Sequence, residues 1–252
     1  MGDEPLGCCS ADAPDARRRT FLGSLLGASV AATLGALLPA VLRTAHAQAL
    51  TREQRDQLSP QQVLEMLKRG NERFRSSQMH PHDYLAQKRA TVSGQYPAAA
   101  ILSCIDSRAP AEILLDAGIG ETFNARIAGN IANDDLLGSL EFACAAAGAK
   151  LLLVIGHTSC GAIKGAIDGV ELGHLTELLN KIKPAVAATA YSGERSGRNA
   201  AFVDAVAATN VSRTVADIRT RSSVLAGLEK SGTIAIVGSM YHLQGGQVEF
   251  FG

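Results

Sequence analysis

From residue 98 onward, short apolar runs alternate with longer segments that favour helices. Four of the apolar runs have the length and composition of buried strands and cover residues 98–105, 121–127, 151–155 and 233–239. Segments of helical character lie at residues 109–117, 134–147, 160–168, 175–190 and 199–228. Residues 247–251 follow a Gly-Gly turn and are predicted to be an edge strand. Because strands separated by helices pair in parallel, the pattern predicts an α/β fold with a mostly parallel central β-sheet flanked by helices.

A helical arm is predicted in front of this α/β part. Residues 48–58 are polar and are predicted to be a linker. Ser59, Pro60 and Gln62 then form a helix start, with serine as the N-cap, proline in the first turn and glutamine at the third position. One apolar stripe follows on that helix and consists of Val63, Leu64, Leu67 and Phe74. Residues 59–252 are therefore predicted to be one domain with an N-terminal helical arm.

The first 47 residues have the pattern of an export signal. Arg17–Leu22 is a basic segment of twin-arginine type, Phe21–Leu42 is uncharged, and Ala45–Ala47 supplies a small-x-small cleavage site. We expect the twin-arginine machinery to export the folded protein to the periplasm and the leader to be removed. A retained leader that anchors the protein in a membrane is the alternative, because 22 uncharged residues are long enough to span a bilayer.

Composition and charge exclude several classes of function. The chain has 24 basic and 24 acidic residues among its 252, so no charge excess points to nucleic acid or to an acidic membrane surface as a partner. Five cysteines in a domain of this size do not form a disulfide framework. Cys144 is predicted to be a small buried hydrophobe. His80 and His82 are predicted to be solvated loop residues rather than metal ligands.

Chemically reactive side chains follow two of the predicted strands. Cys104, Asp106 and Arg108 come at the end of the first strand, and His157 and Cys160 follow the third. Ligands of open parallel sheets bind beyond the carboxyl ends of the strands, so these residues are expected to share one site. Two thiolates and one imidazole are a donor set that zinc accepts, and three protein donors leave a fourth position open, as in catalytic zinc sites. The sequence thus predicts one zinc ion per chain.

Asp106 and Arg108 are expected to face the same side as Cys104, because alternate residues of a strand point to the same face. The neighbouring arginine keeps the carboxylate ionised, so it can accept a proton from metal-bound water. Two alternatives stay open. The pair is a structural ion pair at the strand end, or Asp106 itself fills the fourth metal position in a closed form of the site.

Two motifs carry a family resemblance: Cys104–Arg108 and His157–Gly161. Further matching stretches are Gly94–Pro97, Phe123–Asn130, Ser139–Phe142, and Gly238 with Tyr241. In these stretches, which span about residues 60–251, the chain resembles the β-class carbonic anhydrases. The resemblance implies the reversible hydration of carbon dioxide to bicarbonate and a proton through zinc-bound hydroxide. It also implies a parallel sheet with an antiparallel edge strand, and homodimers or higher homo-oligomers with the site near the dimer interface.

The same resemblance assigns roles to individual residues. It implies that Cys104, His157 and Cys160 are the zinc ligands and that Asp106 and Arg108 are the catalytic pair. Gln95 is expected to hydrogen-bond the substrate. Phe123, Ala128 and Phe142 are expected to line an apolar pocket, with Gly161 among the substrate-binding residues. The helix that contains Phe142 is predicted to turn five residues inward: Leu136, Leu137, Leu140, Phe142 and Ala143.

Two other functions use the same donor set. The family also contains hydrolases of carbon disulfide and carbonyl sulfide with these ligands, and only the shape of the pocket separates them. A non-enzymatic exported zinc-binding protein is the second alternative. A thiol redox protein that uses Cys104 and Cys160 is less favoured, because it gives no function to His157, Asp106 and Arg108.

Overall fold

A five-stranded sheet lies at the centre of residues 49–251, the part of the chain that the computed structural model describes. Its strands are β1 (Ala99–Ser103), β2 (Thr122–Arg126), β3 (Leu151–His157), β4 (Ala235–Tyr241) and β5 (Val248–Phe250). They lie in the order β2-β1-β3-β4-β5, with the first four parallel and β5 antiparallel to β4. The predicted α/β fold with an antiparallel edge strand is confirmed. The predicted export signal lies outside the described residues.

Helices cover both faces of the sheet. They are α1 (Arg52–Asp56), α2 (Pro60–Arg75), α3 (Tyr84–Ala90), α4 (Ala111–Leu114), α5 (Asp134–Glu141), α6 (Gly161–Asp168), α7 (Gly173–Ala188), α8 (Ala200–Arg221) and α9 (Ser223–Lys230). A 3-10 turn spans Ala128–Asn130, and a π-helical turn, Phe142–Ala146, continues α5. Within residues 49–251, none of these helices has the length and apolar character that crossing a membrane requires.

The two central strands are buried along their whole length. Alternate residues of β1 face opposite layers, so Leu102 packs among α5 to α9, while Ile101 packs with the apolar residues of α2 and α4. Each fully buried leucine or isoleucine contributes about 1.5–3 kcal/mol relative to an exposed one. Cys104 belongs to the same layer as Leu102. The first metal-ligand candidate therefore lies on the side of the sheet that the long helices cover.

The predicted start of the helical arm is confirmed. Ser59 Oγ accepts a hydrogen bond from the Gln62 amide at 3.2 Å, and Gln62 Oε1 accepts one from the Ser59 amide at 2.8 Å. The predicted linker in front of it is wrong as a description of residues 49–58, because α1 forms there behind a second capping box at Thr51. Arg55 of α1 is buried and donates a hydrogen bond to the carbonyl of Ala147, which holds this segment on the domain.

Two predicted helices differ from the structure. The segment predicted as helical at 199–228 is divided at Ser222, whose Oγ accepts the Leu225 amide and begins α9. Phe142 was predicted to point inward, but it is 58% exposed. Leu140 and Ala143 occupy the buried face, and Phe142 lies two residues, about 200° of helical rotation, beyond Leu140. Its ring consequently faces outward.

The prediction for His82 is also wrong. Its side chain is only 3% exposed, and its Nε2 lies 3.0 Å from Oδ1 of Asp116, whose side chain is fully buried. Arg73 of α2 donates to the other carboxylate oxygen at 2.5 Å, and the His80 amide donates to the same carboxylate. Burial acts to raise the pKa of Asp116, but these hydrogen bonds outweigh it and lower the pKa below its ordinary value. The segment is tied to the domain through this buried carboxylate.

Candidate metal centre

The parallel pairing of β1 and β3 brings the candidate ligands together. Ser103, the last residue of β1, lies beside Ile155 in the register, so Cys104 follows one strand where His157 ends the other. Cys160 is the N-cap of α6, three residues beyond His157. The carboxyl ends of two adjacent strands and the start of one helix thus meet at one point, as the sequence predicts.

The three donor atoms form a buried cluster. They lie within 4.8 Å of one another, and the two sulfur atoms are 4.0 Å apart. Nδ1 of His157 is 2.9 Å from the carbonyl oxygen of Thr158, which makes Nδ1 the protonated nitrogen and leaves the lone pair on Nε2. Nε2 is buried and has no hydrogen-bond partner. A buried acceptor beside two sulfurs is the arrangement that a zinc ion completes.

The pKa values of the two thiols are shifted in opposite directions. A hydrogen bond from Cys160 is the largest influence that lowers the pKa of Cys104, to about 4. The neighbouring imidazole of His157 and the hydrogen bond from the Gly129 amide act in the same direction. The pKa of Cys160 is raised, first by this hydrogen bond and then by burial. Without a cation, the pair therefore holds one thiolate and one proton, and a divalent ion that replaces the proton gains two anionic donors.

Burial and neighbouring charges shift the pKa of His157 in opposite directions. Burial is the largest influence and acts to lower the pKa of the imidazole. The neighbouring thiolate of Cys104, together with the charge of Asp106, outweighs burial, so the pKa is raised above its ordinary value. The site therefore stabilises a positive charge, and either a proton or a metal ion supplies that charge.

Asp106 is held beside the cluster by Arg108. The guanidinium donates from Nε to Oδ1 at 2.9 Å and from Nη2 to Oδ2 at 2.7 Å, and the Arg108 amide donates to Oδ1 at 2.9 Å. Oδ2 also lies 3.8 Å from Nε2 of His157. These hydrogen bonds, foremost those from the Arg108 side chain, lower the pKa of Asp106 far below its ordinary value. The carboxylate is ionised and faces the donor cluster, as predicted.

Arg126 holds the turn that carries this pair. Its Nε donates to the carbonyl of Cys104 at 2.9 Å, and its Nη2 donates to the carbonyl of Asp106 at 2.6 Å. The sequence motif leaves open whether this arginine is catalytic or structural. The structure gives it a structural position, because the guanidinium binds backbone oxygens on either side of Ile105.

The loop from His157 to Cys160 is fixed at several points. The Thr158 amide donates to the carbonyl of Tyr241 at 3.0 Å, and Thr158 Oγ1 accepts the Leu243 amide at 3.0 Å. Ser159 has a φ of 55° and donates its amide to Asp204 Oδ1 of α8 at 2.8 Å. Sequence reasoning missed Asp204, because it lies 45 residues beyond Ser159 in a helix without a recognisable motif.

Comparison with known proteins identifies the family. The family model described as "Carbonic anhydrase" matches residues 99–248, which include all three donors and Asp106. The chain belongs to the β-class carbonic anhydrases. It is 36% identical over 197 residues to a carbonic anhydrase of Mycolicibacterium smegmatis, an alignment that covers 76% of this chain and 93% of that protein.

Solved β-carbonic anhydrases share the fold. The β-carbonic anhydrase CcaA superposes with a TM-score of 0.59 at 22% identity, over 76% of this chain and 86% of that one. One of two β-carbonic anhydrases described as tetrameric, from the ascomycete Sordaria macrospora, gives a TM-score of 0.56 at 22% identity, over 64% of this chain and 83% of its own. Both matches support the observed fold.

Two of the predicted substrate-binding residues lie beside the carbonic anhydrase donor cluster. Ala128 begins the 3-10 turn whose next residue, Gly129, donates its amide to Cys104 Sγ at 3.4 Å. Gly161 is exposed and opens α6 directly after Cys160, and apart from its chain neighbours and its own helix backbone no described atom lies within 4 Å of the position that a Cβ would take. Contact of these two residues with substrate stays a prediction.

Three predicted substrate-binding residues are not brought to the cluster of their own chain. Gln95 is exposed and precedes β1, whereas Cys104 follows that strand. Phe123 lies near the start of β2 and packs edge-on against Phe142, with ring centroids 6.1 Å apart. These two rings line a cavity of about 600 Å³, and none of the three metal-ligand candidates lines it. Within one chain, these residues do not join the donors in one pocket, and their role in binding substrate stays a prediction.

Proposed function

We propose that the protein catalyses the zinc-dependent, reversible hydration of carbon dioxide to bicarbonate and a proton. The observation that carries the proposal is the position of the ionised Asp106, 3.8 Å from Nε2 of His157 and beside the Cys104, His157 and Cys160 donors. A zinc ion held by these three donors supplies Lewis-acid chemistry that lowers the pKa of a water molecule toward neutrality. Two sulfur donors and one nitrogen donor match the donor preferences of zinc.

Three donors suit a catalytic site better than a structural one. Structural zinc sites use four closed protein ligands, whereas catalytic sites keep one position for water or substrate. Among residues 49–251, the cluster of metal-binding side chains consists of Cys104, His157 and Cys160. Asp106 is the nearest further acid, and both of its oxygens accept hydrogen bonds from Arg108. The arginine thereby restrains Asp106 from filling the remaining position.

Asp106 has the properties of a hydrogen-bond acceptor that orients water at this site. It is ionised, because the pKa is strongly lowered by Arg108, and it is oriented by three hydrogen bonds from that residue. A carboxylate in a fixed position orients a water molecule for attack on a nonpolar, linear substrate such as carbon dioxide. Arg108 thus acts on the reaction through the position of Asp106.

A second copy of the chain completes the substrate pocket in this proposal. Gln95, Phe123 and Phe142 are implied to contact substrate, yet Gln95 precedes β1 and Phe123 lies near the start of β2, away from the strand ends that carry the donors. Phe142 packs on Phe123. Homo-oligomerisation is supported by the tetrameric description of the Sordaria macrospora relatives. Sedimentation of the purified protein as a monomer that is fully active would refute this part.

The test is a direct comparison of substrates on one zinc-quantified sample. We expect stopped-flow measurements to show carbon dioxide hydration far above the rate of the buffer, and little or no hydrolysis of carbon disulfide or carbonyl sulfide. Faster turnover of the sulfur compounds would assign the chain to the hydrolases that share these ligands. Full zinc content with hydration no faster than buffer would instead favour a non-enzymatic zinc-binding protein.

We also propose that the protein is exported through the twin-arginine route, on the basis of Arg17–Leu22 and the cleavage pattern Ala45–Ala47. Export in the folded state allows the thiolates to bind metal in the reducing cytoplasm, before the protein reaches an oxidising compartment. Replacing Arg18 and Arg19 by lysine is expected to retain the protein in the cytoplasm, as cell fractionation would show. Unchanged periplasmic recovery would contradict the proposed route.

A further inference from the structure

Helix α8 makes hydrogen bonds to two backbone segments at the donor cluster. It packs so closely on β3 that a Cβ at Gly156, the residue before His157, would lie 2.5 Å from a methyl carbon of Val211. From this position, Asp204 bonds to the loop that carries His157 and Cys160, and Asn210 bonds to Gly129 in the 3-10 turn beside Cys104. Neither residue belongs to the motifs of the site, and neither is among the donors.

Asp204 stabilises an unfavourable backbone conformation between two ligands. Ser159 has a φ of 55°, in the left-handed region that residues with a side chain rarely occupy. Its amide donates to Asp204 Oδ1 at 2.8 Å, a hydrogen bond to a charged acceptor and therefore a strong one. Because Ser159 stands between His157 and Cys160, its conformation determines how far apart the imidazole and the second sulfur lie.

Asn210 is connected to the sulfur of Cys104 through Gly129. It is buried, and its Nδ2 donates to the carbonyl of Gly129 at 2.7 Å. Gly129 has a φ of 68°, and a Cβ there would lie 2.5 Å from Ile182, so the position requires glycine. The amide of Gly129 donates to Cys104 Sγ at 3.4 Å. The asparagine thus fixes the residue whose N–H group contacts the Cys104 sulfur.

We propose that Asp204 and Asn210 are positioning residues for the zinc site: Asp204 holds the loop that carries His157 and Cys160, and Asn210 holds Gly129, whose amide contacts the Cys104 sulfur. The proposal rests on the zinc site of the proposed function but not on the reaction, since it concerns metal affinity. Hydrogen-bonding partners of metal ligands commonly change metal affinity by 10- to 100-fold when they are removed. Asp204 and Asn210 act one step further out, through the backbone of the loops.

Zinc affinity of the full chain, measured by competition with a chelator, tests Asp204. We expect Asp204→Ala to lower the affinity by about tenfold, and Asp204→Asn, which keeps an acceptor oxygen, to lower it much less. Asp217→Ala, an exposed acid on the same helix, is the control for lost charge. Adding Ser159→Gly to Asp204→Ala should recover much of the affinity, because glycine adopts the left-handed conformation without help.

The cobalt-substituted protein tests Asn210. Asn210→Leu keeps the approximate volume and removes the donor, so we expect about a tenfold loss of metal affinity. Loss of the Gly129 N–H contact should also shift the sulfur-to-cobalt charge-transfer band, which a general loss of stability would not do. Ser212→Ala is the matched control, since the exposed Ser212 hydroxyl bonds only to its own helix at Ala208. Asn210→Ala is measured as a second variant.

Several results would overturn the proposal. Zinc affinities and cobalt spectra of the Asp204 and Asn210 variants that equal those of the controls would remove any positioning role. A loss of affinity with Asp204→Ala that Ser159→Gly does not relieve would exclude the proposed route through Ser159. A variant that loses metal affinity, and whose metal-free form also has a correspondingly lower melting temperature, would assign the substituted residue to the stability of the fold alone. An Asn210 variant that does not fold would assign Asn210 in the same way. Absence of carbon dioxide hydration would refute the proposed function and leave these affinities unaffected.

Discussion

Two parallel hydrogen bonds, at 2.9 and 2.7 Å, join the guanidinium of Arg108 to the carboxylate of Asp106. This bidentate pair fixes the plane of the carboxylate and lowers its pKa. It also occupies both oxygens of this acid, which lies 3.8 Å from Nε2 of His157. The pair therefore supplies an oriented hydrogen-bond acceptor beside the site and restrains Asp106 from becoming a fourth ligand.

Asp106→Asn is expected to retain zinc and to lose most of the hydration activity. The amide is the same size as the carboxylate but carries no charge and accepts no proton, so we expect kcat/KM to fall by about a hundredfold or more. Zinc content and stopped-flow hydration, measured on the same sample, check this. Asp217→Asn, at an exposed position on α8, is the control. A near-normal rate in Asp106→Asn would remove the residue from the mechanism.

Arg108→Ala is expected to release Asp106 toward the metal. Activity should fall by about the same factor as in Asp106→Asn, while zinc affinity should stay constant or rise, because a carboxylate gains access to the fourth position. The cobalt spectrum of Arg108→Ala should differ from that of the wild type and should revert when Asp106→Asn is added. Arg213→Ala, an exposed arginine of α8, is the control. An unchanged spectrum in Arg108→Ala would argue against a closed form.

Arg126→Ala is expected to loosen the turn between Cys104 and Asp106. Two carbonyl oxygens lose a charged donor, and hydrogen bonds to charged groups contribute about 1.5–3 kcal/mol each. We therefore expect the free energy of unfolding to fall by about 2 kcal/mol or more and the activity to fall with it. Urea unfolding and hydration rates check this against Arg213→Ala. Stability and activity equal to that control would show that the two hydrogen bonds are dispensable.

Asp116→Asn tests the buried cluster away from the metal donors. The folded-state pKa of Asp116 is lowered, so its charge stabilises the fold above the ordinary aspartate pKa of about 3.9 and loses this effect as the pH falls through the folded value. Because the acid is paired with Arg73 and His82, we expect the variant to be about 3 kcal/mol less stable at pH 7. Asparagine tolerates the φ of 49° at this position.

Urea unfolding of the chelator-treated protein measures this difference without a contribution from zinc. The difference between wild type and Asp116→Asn should be largest near pH 7 and should shrink below about pH 4. Asp217→Asn supplies the control for a solvated acid. A constant difference between pH 7 and pH 3, or none at pH 7, would contradict the assigned role of the Asp116 carboxylate.

The sheet and the donor cluster could be predicted from the sequence because both depend on short-range patterns. The apolar runs end directly at Cys104 and His157, and parallel pairing then brings any two such ends together. Asp204 and Asn210 had no comparable signal. Their partners, Ser159 and Gly129, lie 45 and 81 residues away. Because these hydrogen bonds go to backbone atoms, they do not require a particular side chain at the partner position.

The errors have equally physical causes. His82 lies in a polar segment, and its Nε2 pairs with Asp116, a buried acid that is 34 residues away. A pairing of this kind turns a polar stretch into a part of the core without any apolar periodicity. Gln95 and Phe123 are residues that the family resemblance assigns to the pocket. A single chain does not join them to the donors, and one sequence says nothing of where a second chain lies.

The most direct test of the account is hydration activity as a function of bound zinc. Metal-free protein would be loaded stepwise with zinc, and the rate of carbon dioxide hydration would be measured by stopped flow at each step for the wild type and for Cys160→Ser. The account predicts that the wild-type rate rises in proportion to bound zinc and saturates at one ion per chain, and that Cys160→Ser binds zinc weakly and stays near the buffer rate. A rate that does not depend on zinc, or full activity in Cys160→Ser, would contradict it.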